Sequence, residues 1–484
     1  MRRNAALCAS LLTALASSGC ACSGAELQPD AAAPLDAAAP DGAVSRDTGS
    51  VDAPVSDAPV SDAPASDAPG SDALVSDASS ADARLPLTAC EGLGTFEGDL
   101  PCVDTGCRLI ETLEIDPPHA RNDRPSIAVD GSGAPVVAYT IAEGGYRAFL
   151  ARRDATGFVS TPAGVAAIVA IAMGRDGCGY GFLNDGAYGA SIHRIEGSTF
   201  VPVEAHDALM VTGPGLLLDA SGALHFVAYE ERAGGGVRGR FDGTYEEHPL
   251  AGTAGRFFLP ASLALRADGT VELAYYANLA AGHGLYHQVG DAAPELVATA
   301  SGDPTLFGPS AALAIGGDGS THLLHATHRG DVVLATRAAT WALDPLFAGE
   351  VSDPCPETDV EGASCTTRDV RWSVLGLVAA ADGDALGLVS RTQIDVVSKV
   401  ECSGGPFPLP PGPPPPFCTY VEQSRSTQTA LHAVSIAGTD VTTLELAREG
   451  GGLVGTLALA PDGTVHVAAY DASGAVRYTA VGAE

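Results

Sequence analysis

The sequence predicts an all-β protein in which seven units, each of four short strands, follow one another along the chain. Glycine and proline are frequent, at 58 and 33 of 484 residues, and only 3 residues are methionine. This composition is typical of many short strands joined by turns rather than of helices. In addition, one pattern recurs seven times between residues 107 and 484: an apolar run, a turn that ends in glycine, and a second apolar run.

The turn of each unit carries hairpin chemistry. The seven turn glycines are Gly133, Gly177, Gly222, Gly269, Gly319, Gly383 and Gly463. The residue before the glycine is aspartate in five turns and serine in two. Aspartate and serine hydrogen-bond to nearby backbone, and glycine accepts a positive φ angle, so each turn is predicted to join two antiparallel strands.

The spacing of the turns predicts the architecture. Successive turn glycines are 44, 45, 47, 50, 64 and 80 residues apart, so the unit is about 45 residues long and the last two intervals contain insertions. A period of this length with four strands per unit is typical of propeller blades. We therefore expect a seven-bladed β-propeller over residues 89–484, with loop insertions at 350–368 and 400–420.

The last unit is one strand short. Its strands are expected near 456–459, 465–470 and 475–480, after which only four residues remain. The run CRLIETLEID, from Cys107 to Asp116, precedes the first unit and belongs to none. We expect this N-terminal strand of the domain to pair beside Arg477–Thr479 and to close the last blade, which would leave no exposed sheet edge there.

Several units, among them TLALAPDGTVHVAAY, resemble the repeats of bacterial exported propellers of the BNR or sialidase-like type. The resemblance covers most of residues 107–484 and implies a propeller fold. The Asp-box of sialidases, Ser-x-Asp-x-Gly-x-Thr-Trp, is not matched, because DGT at 268–270 and 462–464 lacks the tryptophan. The resemblance therefore implies the fold rather than glycan hydrolysis.

The N-terminus predicts export. Arg2 and Arg3 precede an apolar run at 5–16 that is too short to span a membrane but suits a signal peptide, predicted at 1–19. The small residues before Cys20 resemble the lipobox of bacterial lipoproteins, which implies that Cys20 is acylated. The alternative is plain secretion. Either places the protein in or outside the bacterial cell envelope, with the outer membrane as the expected site of a lipid anchor.

Residues 20–88 are predicted to form a disordered linker. The segment VSDAPVSDAPASDAPGSDALVSDAS repeats every five residues, with an aspartate in each repeat. Low hydrophobicity, like charges at fixed intervals and recurrent proline leave nothing to offset the entropy of ordering. Such a linker is extended by its own charge repulsion and would hold the folded domain away from a membrane.

The cysteines agree with an oxidising compartment. Eight cysteines lie in the predicted folded domain, an even number. Cys355 and Cys365 are expected to form one local disulfide, and Cys402 and Cys418 another. The remaining four, Cys90, Cys102, Cys107 and Cys178, allow three pairings that the sequence does not separate. No Cys-x-x-Cys spacing occurs in the domain, so no zinc site is predicted.

Net charge and loop composition limit the partners. The formal net charge is −33, which excludes nucleic acid and anionic membrane surfaces as expected partners of the folded domain. The loops that lead into the first strand of each unit nevertheless carry arginines, and these loops would gather at one mouth of a propeller channel. The proposed ligand-binding residues are Arg121, Arg124, Arg256, Arg368 and Arg371, with Arg448 nearby. Guanidinium groups bind carboxylates in a bidentate manner, so an acidic sugar or a peptide carboxylate is the predicted ligand type.

Other candidate groups have structural explanations. Tyr139, Tyr229, Tyr275 and Tyr470 recur at nearly equivalent positions, which favours packing between blades over a nucleophilic role. His225, His322 and His466 each follow a turn glycine by three residues and are interpreted as a repeat feature. No metal ligands are assigned. Calcium is possible because Asp-Gly turns abound, but turn formation alone explains those aspartates, and no other cofactor is expected.

Function is less determined than fold. The sequence favours a monomeric binding module for protein or glycan ligands over an enzyme, and no catalytic residue is assigned. The first alternative is a sialidase-like glycan hydrolase or lyase that uses the arginines, and the second is a purely structural surface lipoprotein. The polyproline loop between Cys402 and Cys418 is either a recognition element or packed on the outer rim.

Overall fold

A computed structural model describes residues 90–92, 99–120, 124–184, 189–206, 209–232, 234–254, 261–300, 310–356, 360–403, 417–449 and 453–483. These residues fall within one compact unit, Asp82–Glu484. The predicted signal peptide, Cys20 and the predicted linker lie outside the described residues. Within the described part the protein is all-β, with one short helix, α1 (Pro101–Thr105). None of the helices described there is long and apolar enough to span a membrane.

The described strands form seven antiparallel sheets, which are numbered in the order of the repeat units along the chain. Sheet 1 contains β2 (Ser126–Val129), β3 (Pro135–Ile141), β4 (Arg147–Asp154) and β5 (Gly157–Gly164). Sheet 2 contains β6 (Ile168–Met173), β7 (Gly179–Asn184), β8 (Ala190–Glu196) and β9 (Thr199–His206). Sheet 3 contains β10 (Leu209–Leu218), β11 (Leu224–Glu230), β12 (Gly235–Phe241) and β13 (Tyr245–Pro249). Sheet 4 contains β14 (Ala261–Leu265), β15 (Val271–Leu279), β16 (Gly282–Val289) and β17 (Glu295–Thr299).

The remaining sheets differ from this plain order. Sheet 5 contains β18 (Ala311–Ile315), β19 (Thr321–Ala326), β20 (Val332–Arg337) and β21 (Trp341–Phe347). Sheet 6 has five strands, β22 (Glu350–Val351), β23 (Ser364–Ala379), β24 (Ala385–Ser403), β25 (Phe417–Ala437) and β26 (Asp440–Glu449). Sheet 7 contains β27 (Val454–Leu459), β28 (Val465–Tyr470), β29 (Val476–Gly482) and, beside β29, the first strand of the chain, β1 (Arg108–Asp116).

The pairing of β1 with β29 is the one expected from the sequence. Thr112 lies opposite Thr479, Leu113 opposite Tyr478 and Glu114 opposite Arg477. Alternation along β29 buries Tyr478 completely, and its hydroxyl lies 2.6 Å from Nδ1 of His466 on β28. The strand nearest the N-terminus of the domain therefore completes the sheet that the C-terminal strands begin.

The strand that precedes each of the seven glycine turns is called an inner strand. The inner strands are β2, β6, β10, β14, β18, β23 and β27. Each contacts the next in this series, and β27 contacts β2. Seven clusters of buried apolar side chains lie between neighbouring sheets in the same order. Apolar side chains on both faces of each sheet are thus covered by the next sheet, which explains why the second strands are buried over nearly their whole length.

The seven predicted hairpin turns are confirmed. All seven glycines have positive φ, from 76° to 92°. In each turn the glycine amide donates to the carbonyl three residues earlier, as in Gly463 to Ala460 at 3.0 Å. Where aspartate precedes the glycine, its Oδ1 accepts the amide two residues on, as Asp462 does from Thr464 at 2.9 Å. Turn formation therefore accounts for these aspartates. The glycine turns lie at the ends where the strands before them finish, and this side of the molecule is called the lower face.

Four disulfides occur among the described residues. Cys355–Cys365 and Cys402–Cys418 are the two predicted local bonds. The pairing that the sequence left open is Cys90–Cys178 and Cys102–Cys107. The Cys90–Cys178 bond joins the first described residue of the chain to the lower-face turn of sheet 2. Next to this bond, the amide of Arg175 donates to the carbonyl of Glu91 at 2.7 Å.

Sheet 6 departs from the expectation of loop insertions. Its three long strands have 16, 19 and 21 residues, against four to ten in the other sheets. Residues 364–373, 391–403 and 417–429 continue the strand pairing away from the glycine turn, with one register shift between Val397 and Ser398. This three-stranded extension is called the arm. It rises from the end at which the inner strands begin, which is called the upper face.

Candidate binding surfaces at the upper face

Hydroxyl side chains at the start of four inner strands link neighbouring sheets. Each of these side chains bonds to backbone of an adjacent sheet rather than of its own. The four bonds run from Ile171 N to Ser126 Oγ (3.1 Å), from Leu313 N to Ser262 Oγ (2.9 Å), from Val374 N to Ser310 Oγ (2.7 Å) and from Thr456 Oγ1 to Pro125 O (3.0 Å). Ser126, Ser262 and Thr456 each precede their turn glycine by seven residues, and our interpretation of the repeat missed this recurrence.

These hydroxyls surround the upper part of a central cavity. A volume of about 170 Å³ lies among six of the inner strands, and Arg124 is part of its lining. A lower volume of about 340 Å³ is lined by all seven inner strands. Ile127, Leu217, Leu263 and Leu313 line both volumes. The cavity therefore has a polar end at the upper face and an aliphatic end toward the lower face.

The predicted arginines do not occupy equivalent places. Arg124 lies at the polar end of the cavity, whereas Arg121 and Arg256 lie outside the described residues. Arg368 and Arg371 are both on β23, where the arm begins. Because they are three residues apart on a strand, their side chains point to opposite faces of the arm. The described members therefore belong to two surfaces, the cavity and the arm.

One face of the arm carries a chain of polar contacts called the polar ladder. Arg368 Nε donates to Asp395 Oδ1 at 2.7 Å, and Gln393 Nε2 donates to Asp395 Oδ2 at 2.8 Å. Arg391 Nη2 donates to Gln393 Oε1 at 3.2 Å, and its guanidinium carbon lies 5.9 Å from the centre of the Trp372 ring. The hydrogen bond from Arg368 lowers the pKa of Asp395, so this carboxylate is ionised at neutral pH. Each planar group fixes the next, which holds the ladder in one arrangement.

Aromatic side chains anchor the ladder at the base of the arm. The ring of Trp372 stacks on Phe347 of sheet 5, with ring centres 4.5 Å apart and planes 19° apart. His432 lies on the other side, 5.6 Å from the Trp372 ring, and burial lowers its pKa. Arg448, another predicted rim residue, pairs with Glu445, three residues earlier on β26. Trp372 is thus partly buried against these two rings and serves as the anchor of the arm.

The tip of the arm is held by the two local disulfides. Cys402 lies directly opposite Cys418 in the register of β24 and β25. Cys355–Cys365 ties the segment before the arm to β23, and the hydroxyl of Tyr420 donates to the carbonyl of Pro356 at 2.9 Å. Val400 is 2% exposed at this end of the arm. The polyproline segment 404–416 lies outside the described residues, between the paired cysteines.

The recurrent tyrosines and histidines are built into the sheets. Tyr139, Tyr229, Tyr275 and Tyr470 are all buried, and burial raises the pKa of Tyr275 to about 12. A nucleophilic tyrosine needs the opposite shift. The three repeat histidines, His225, His322 and His466, are buried and lie within hydrogen-bond distance of Asp219, Ser320 and Tyr478 respectively.

Three carboxylates come together on the lower face. Oxygens of Asp104, Asp382 and Asp384 lie within 4.8 Å of one another. Asp384 is partly buried, and burial together with the two neighbouring charges raises its pKa. Asp382 already accepts the amide of Asp384 at 3.0 Å as part of its hairpin turn. Local turn geometry therefore accounts for this cluster.

No protein-family model matches the chain, and no curated protein matches it. Among solved structures the chain is similar to "Crystal Structure of Mitotic Checkpoint Complex", at 12% identity over 77% of this chain and 93% of that one, with a TM-score of 0.43. It is also similar to SapL1 lectin in complex with alpha methyl fucoside, at 10% identity over 66% and 95% of the two chains, with a TM-score of 0.37. A third is the fucose-specific lectin from Aleuria aurantia, at 11% identity over 69% and 98%, with a TM-score of 0.37. Likeness at this level does not identify a ligand for this chain.

Proposed function

We propose that this chain is a binding module for protein or glycan ligands, built as a seven-bladed β-propeller whose last blade is completed by β1. Seven sheets among the described residues, circular contacts of the inner strands and the pairing of β1 with β29 support the ring. We further propose that the module is exported and held at the cell envelope through acylated Cys20 and the linker at 20–88, with no resident cofactor. The signal-like N-terminus and four disulfides support export.

The arm is the observation that carries the binding proposal. Six sheets pack with strands of at most ten residues, so the additional length of β23, β24 and β25 is not needed for packing between sheets. Most side chains along residues 418–428 are exposed and therefore add little hydrophobic stabilisation. Ordering such residues nevertheless costs conformational entropy. A segment that is clamped by two disulfides and laddered by polar side chains, yet contributes little to the core, is suited to presenting a fixed surface.

The chemistry of the ladder indicates which ligands fit. Guanidinium, amide and carboxylate groups alternate along it, and Arg368 is 55% exposed. Such groups bind sugar hydroxyls and peptide backbone through paired hydrogen bonds, and guanidinium also binds carboxylate. Because the groups are already held in place by one another, binding would cost little additional side-chain entropy. We therefore place the ligand along the ladder face of the arm.

A glycan and peptide array probed with the full chain tests the proposal. For each hit, we expect the double change Arg368→Gln and Arg391→Gln to weaken binding by at least tenfold, because two charged hydrogen-bond donors are lost. Arg425→Gln is the matched control, since Arg425 lies opposite Val396 and so on the other face of the arm. Binding that survives the double change would contradict the proposed surface.

Neither alternative function is favoured by a specific observation among the described residues. A sialidase-like reaction needs an accessible tyrosine with a carboxylate partner, whereas the recurrent tyrosines are buried. A purely structural surface protein would not need the ordered ladder. Assay of the full chain against fluorogenic sialosides and other glycosides tests the enzyme directly, and turnover lost in the Arg368 and Arg391 double variant would favour it over simple binding.

A further inference from the structure

The lower part of the central cavity has aliphatic side-chain walls. Inner strands from all seven sheets contribute to its volume of about 340 Å³. Its larger lining side chains are apolar, among them Ile127, Leu217, Leu313 and Leu459. No charged side chain lines this part of the described structure. An engineered apolar cavity of about 150 Å³ holds benzene, so this one has room for a chain of roughly ten carbons.

The upper part of the cavity has a different chemistry. Arg124 lines it together with Ser126, Ser262 and Ser310. Each of these serines accepts a backbone amide through Oγ, and a hydroxyl that accepts in this way retains its own proton for donation. Three hydroxyl donors and one guanidinium form a set suited to an anion of small size. The net charge of −33 disfavours anions at long range, so such a group would be held by these local contacts.

We propose that the central cavity binds a single-chain alkyl carboxylate, with the carboxylate beside Arg124 and the three serines and the alkyl chain among the aliphatic walls below. The two parts of the cavity share Ile127, Leu217 and Leu313, so that one slender molecule reaches from the polar end into the apolar end. This site is separate from the ladder face of the arm. The ligand class follows from the order of the two linings along the cavity.

Titration of the full-length protein with alkyl carboxylates of six, eight and ten carbons tests the binding of the alkyl chain. We expect affinity to rise by about fourfold for each methylene added, because each buries apolar surface. Decanoate should bind at least tenfold more tightly than decanol and than decyltrimethylammonium. Absence of saturable decanoate binding at millimolar concentration, or equal affinity for the cationic amphiphile, would overturn the proposal.

Two kinds of variant locate the ligand. Arg124→Gln should remove the preference for decanoate over decanol, whereas Arg147→Gln, an exposed arginine on β4, should leave it unchanged. Ala458→Phe, which fills the lower volume, should weaken decanoate at least tenfold. Leu459→Asn, which places an amide in the same wall, is the second variant if Ala458→Phe does not fold, and the same loss is expected. Undiminished chain-length dependence in a folded cavity variant would show that decanoate binds elsewhere and would overturn the site, whereas the arm variants would still report on the proposed binding module.

Discussion

The closing sheet and the arm are both extensions of the repeat, yet they are held by different forces. In sheet 7, β28 is buried along its whole length, and the side chains of Tyr470, Val476 and Tyr478 are at most 4% exposed. In the arm, residues 418–428 are mainly exposed, and order comes from backbone pairing, the polar ladder and disulfides. The difference shows that burial against a neighbouring sheet builds the ring, whereas the arm is ordered without it.

Removal of a fully buried aromatic from the closing sheet should have the largest effect. Tyr478 is 0% exposed, packs against Phe158 at a ring-centre distance of 5.0 Å and contacts His466. We expect Tyr478→Ala to lower the free energy of unfolding by about 3–5 kcal/mol, through lost burial and a residual cavity. Urea unfolding followed by tryptophan fluorescence measures it. A loss below about 1 kcal/mol would mean that β1 and β29 do not close a cooperative ring.

Acid should weaken the ring before it affects the arm. Burial lowers the pKa of His325 and of His466 to about 4, below the ordinary 6.5. Between pH 6.5 and 4 the unfolded chain takes up protons that these folded histidines refuse, so stability is present above this window and falls as pH drops through it. Each histidine contributes a slope of at most about 1.4 kcal/mol per pH unit.

A single substitution tests this pH dependence. His325→Leu replaces the titratable imidazole by an apolar side chain of similar size. It should reduce the slope of unfolding free energy against pH between 6.5 and 4. Urea titrations at half-unit pH steps compare the two proteins. An unchanged slope would show that His325 is protonated in the folded state.

Loss of one bond between neighbouring sheets should have a smaller effect. Ser310 Oγ accepts the amide of Val374 at 2.7 Å across sheets 5 and 6. We expect Ser310→Ala to lower the free energy of unfolding by about 1 kcal/mol, because the amide loses its partner. Ser310→Thr keeps the hydroxyl and serves as the control. Equal losses in the two variants would assign the effect to packing instead of to the hydrogen bond.

The smallest effect on overall stability is expected at the tip of the arm. Replacement of Cys402 and Cys418 by alanine opens a bond of sequence separation 16 in a segment that packs on little else. Global unfolding free energy should change by less than about 0.5 kcal/mol, while amide hydrogen exchange along the arm should rise by at least tenfold.

The disulfide between Cys90 and Cys178 provides the contrast. Its sequence separation is 88, and its cysteines are 0% and 9% exposed against sheet 2. Its loss should destabilise the ring by about 4.6 kcal/mol according to the loop-entropy relation. If both pairs of alanine substitutions lowered global stability equally, the arm would have to be part of the same cooperative unit as the ring.

Local sequence features predicted the repeated hairpins. Gly269 or Gly463 supplies the positive φ that its turn requires, and the preceding aspartate binds the backbone two residues on, so each hairpin is encoded within a few residues. The pairing of β1 with β29 was also predictable, because the last unit lacked one strand and one strand-like run was unassigned.

The arm was not predictable in the same way. Residues between Cys355 and Cys418 are rich in threonine, serine, valine and proline, and their cysteine spacing indicated disulfide-bracketed loops. Whether such a segment forms strands depends on its register with residues on the far side of the polyproline segment. The register of β23 against β24 brings Arg368 to Asp395, which are 27 residues apart. It separates Arg368 from Arg371, which sequence reasoning had placed together at one rim.

The sequence by itself determined the repeat length, the hairpin turns, the partner of the last strand and the two local disulfides, because each rests on contacts between neighbouring residues or on a count of strands. Only the tertiary structure decided which serines link the sheets, how the cavity divides into a polar and an aliphatic end, and which arginines share a face. Those properties depend on side chains that meet across sheets and across long strand pairs, and cross-strand register is fixed by packing of the whole domain rather than by any local segment.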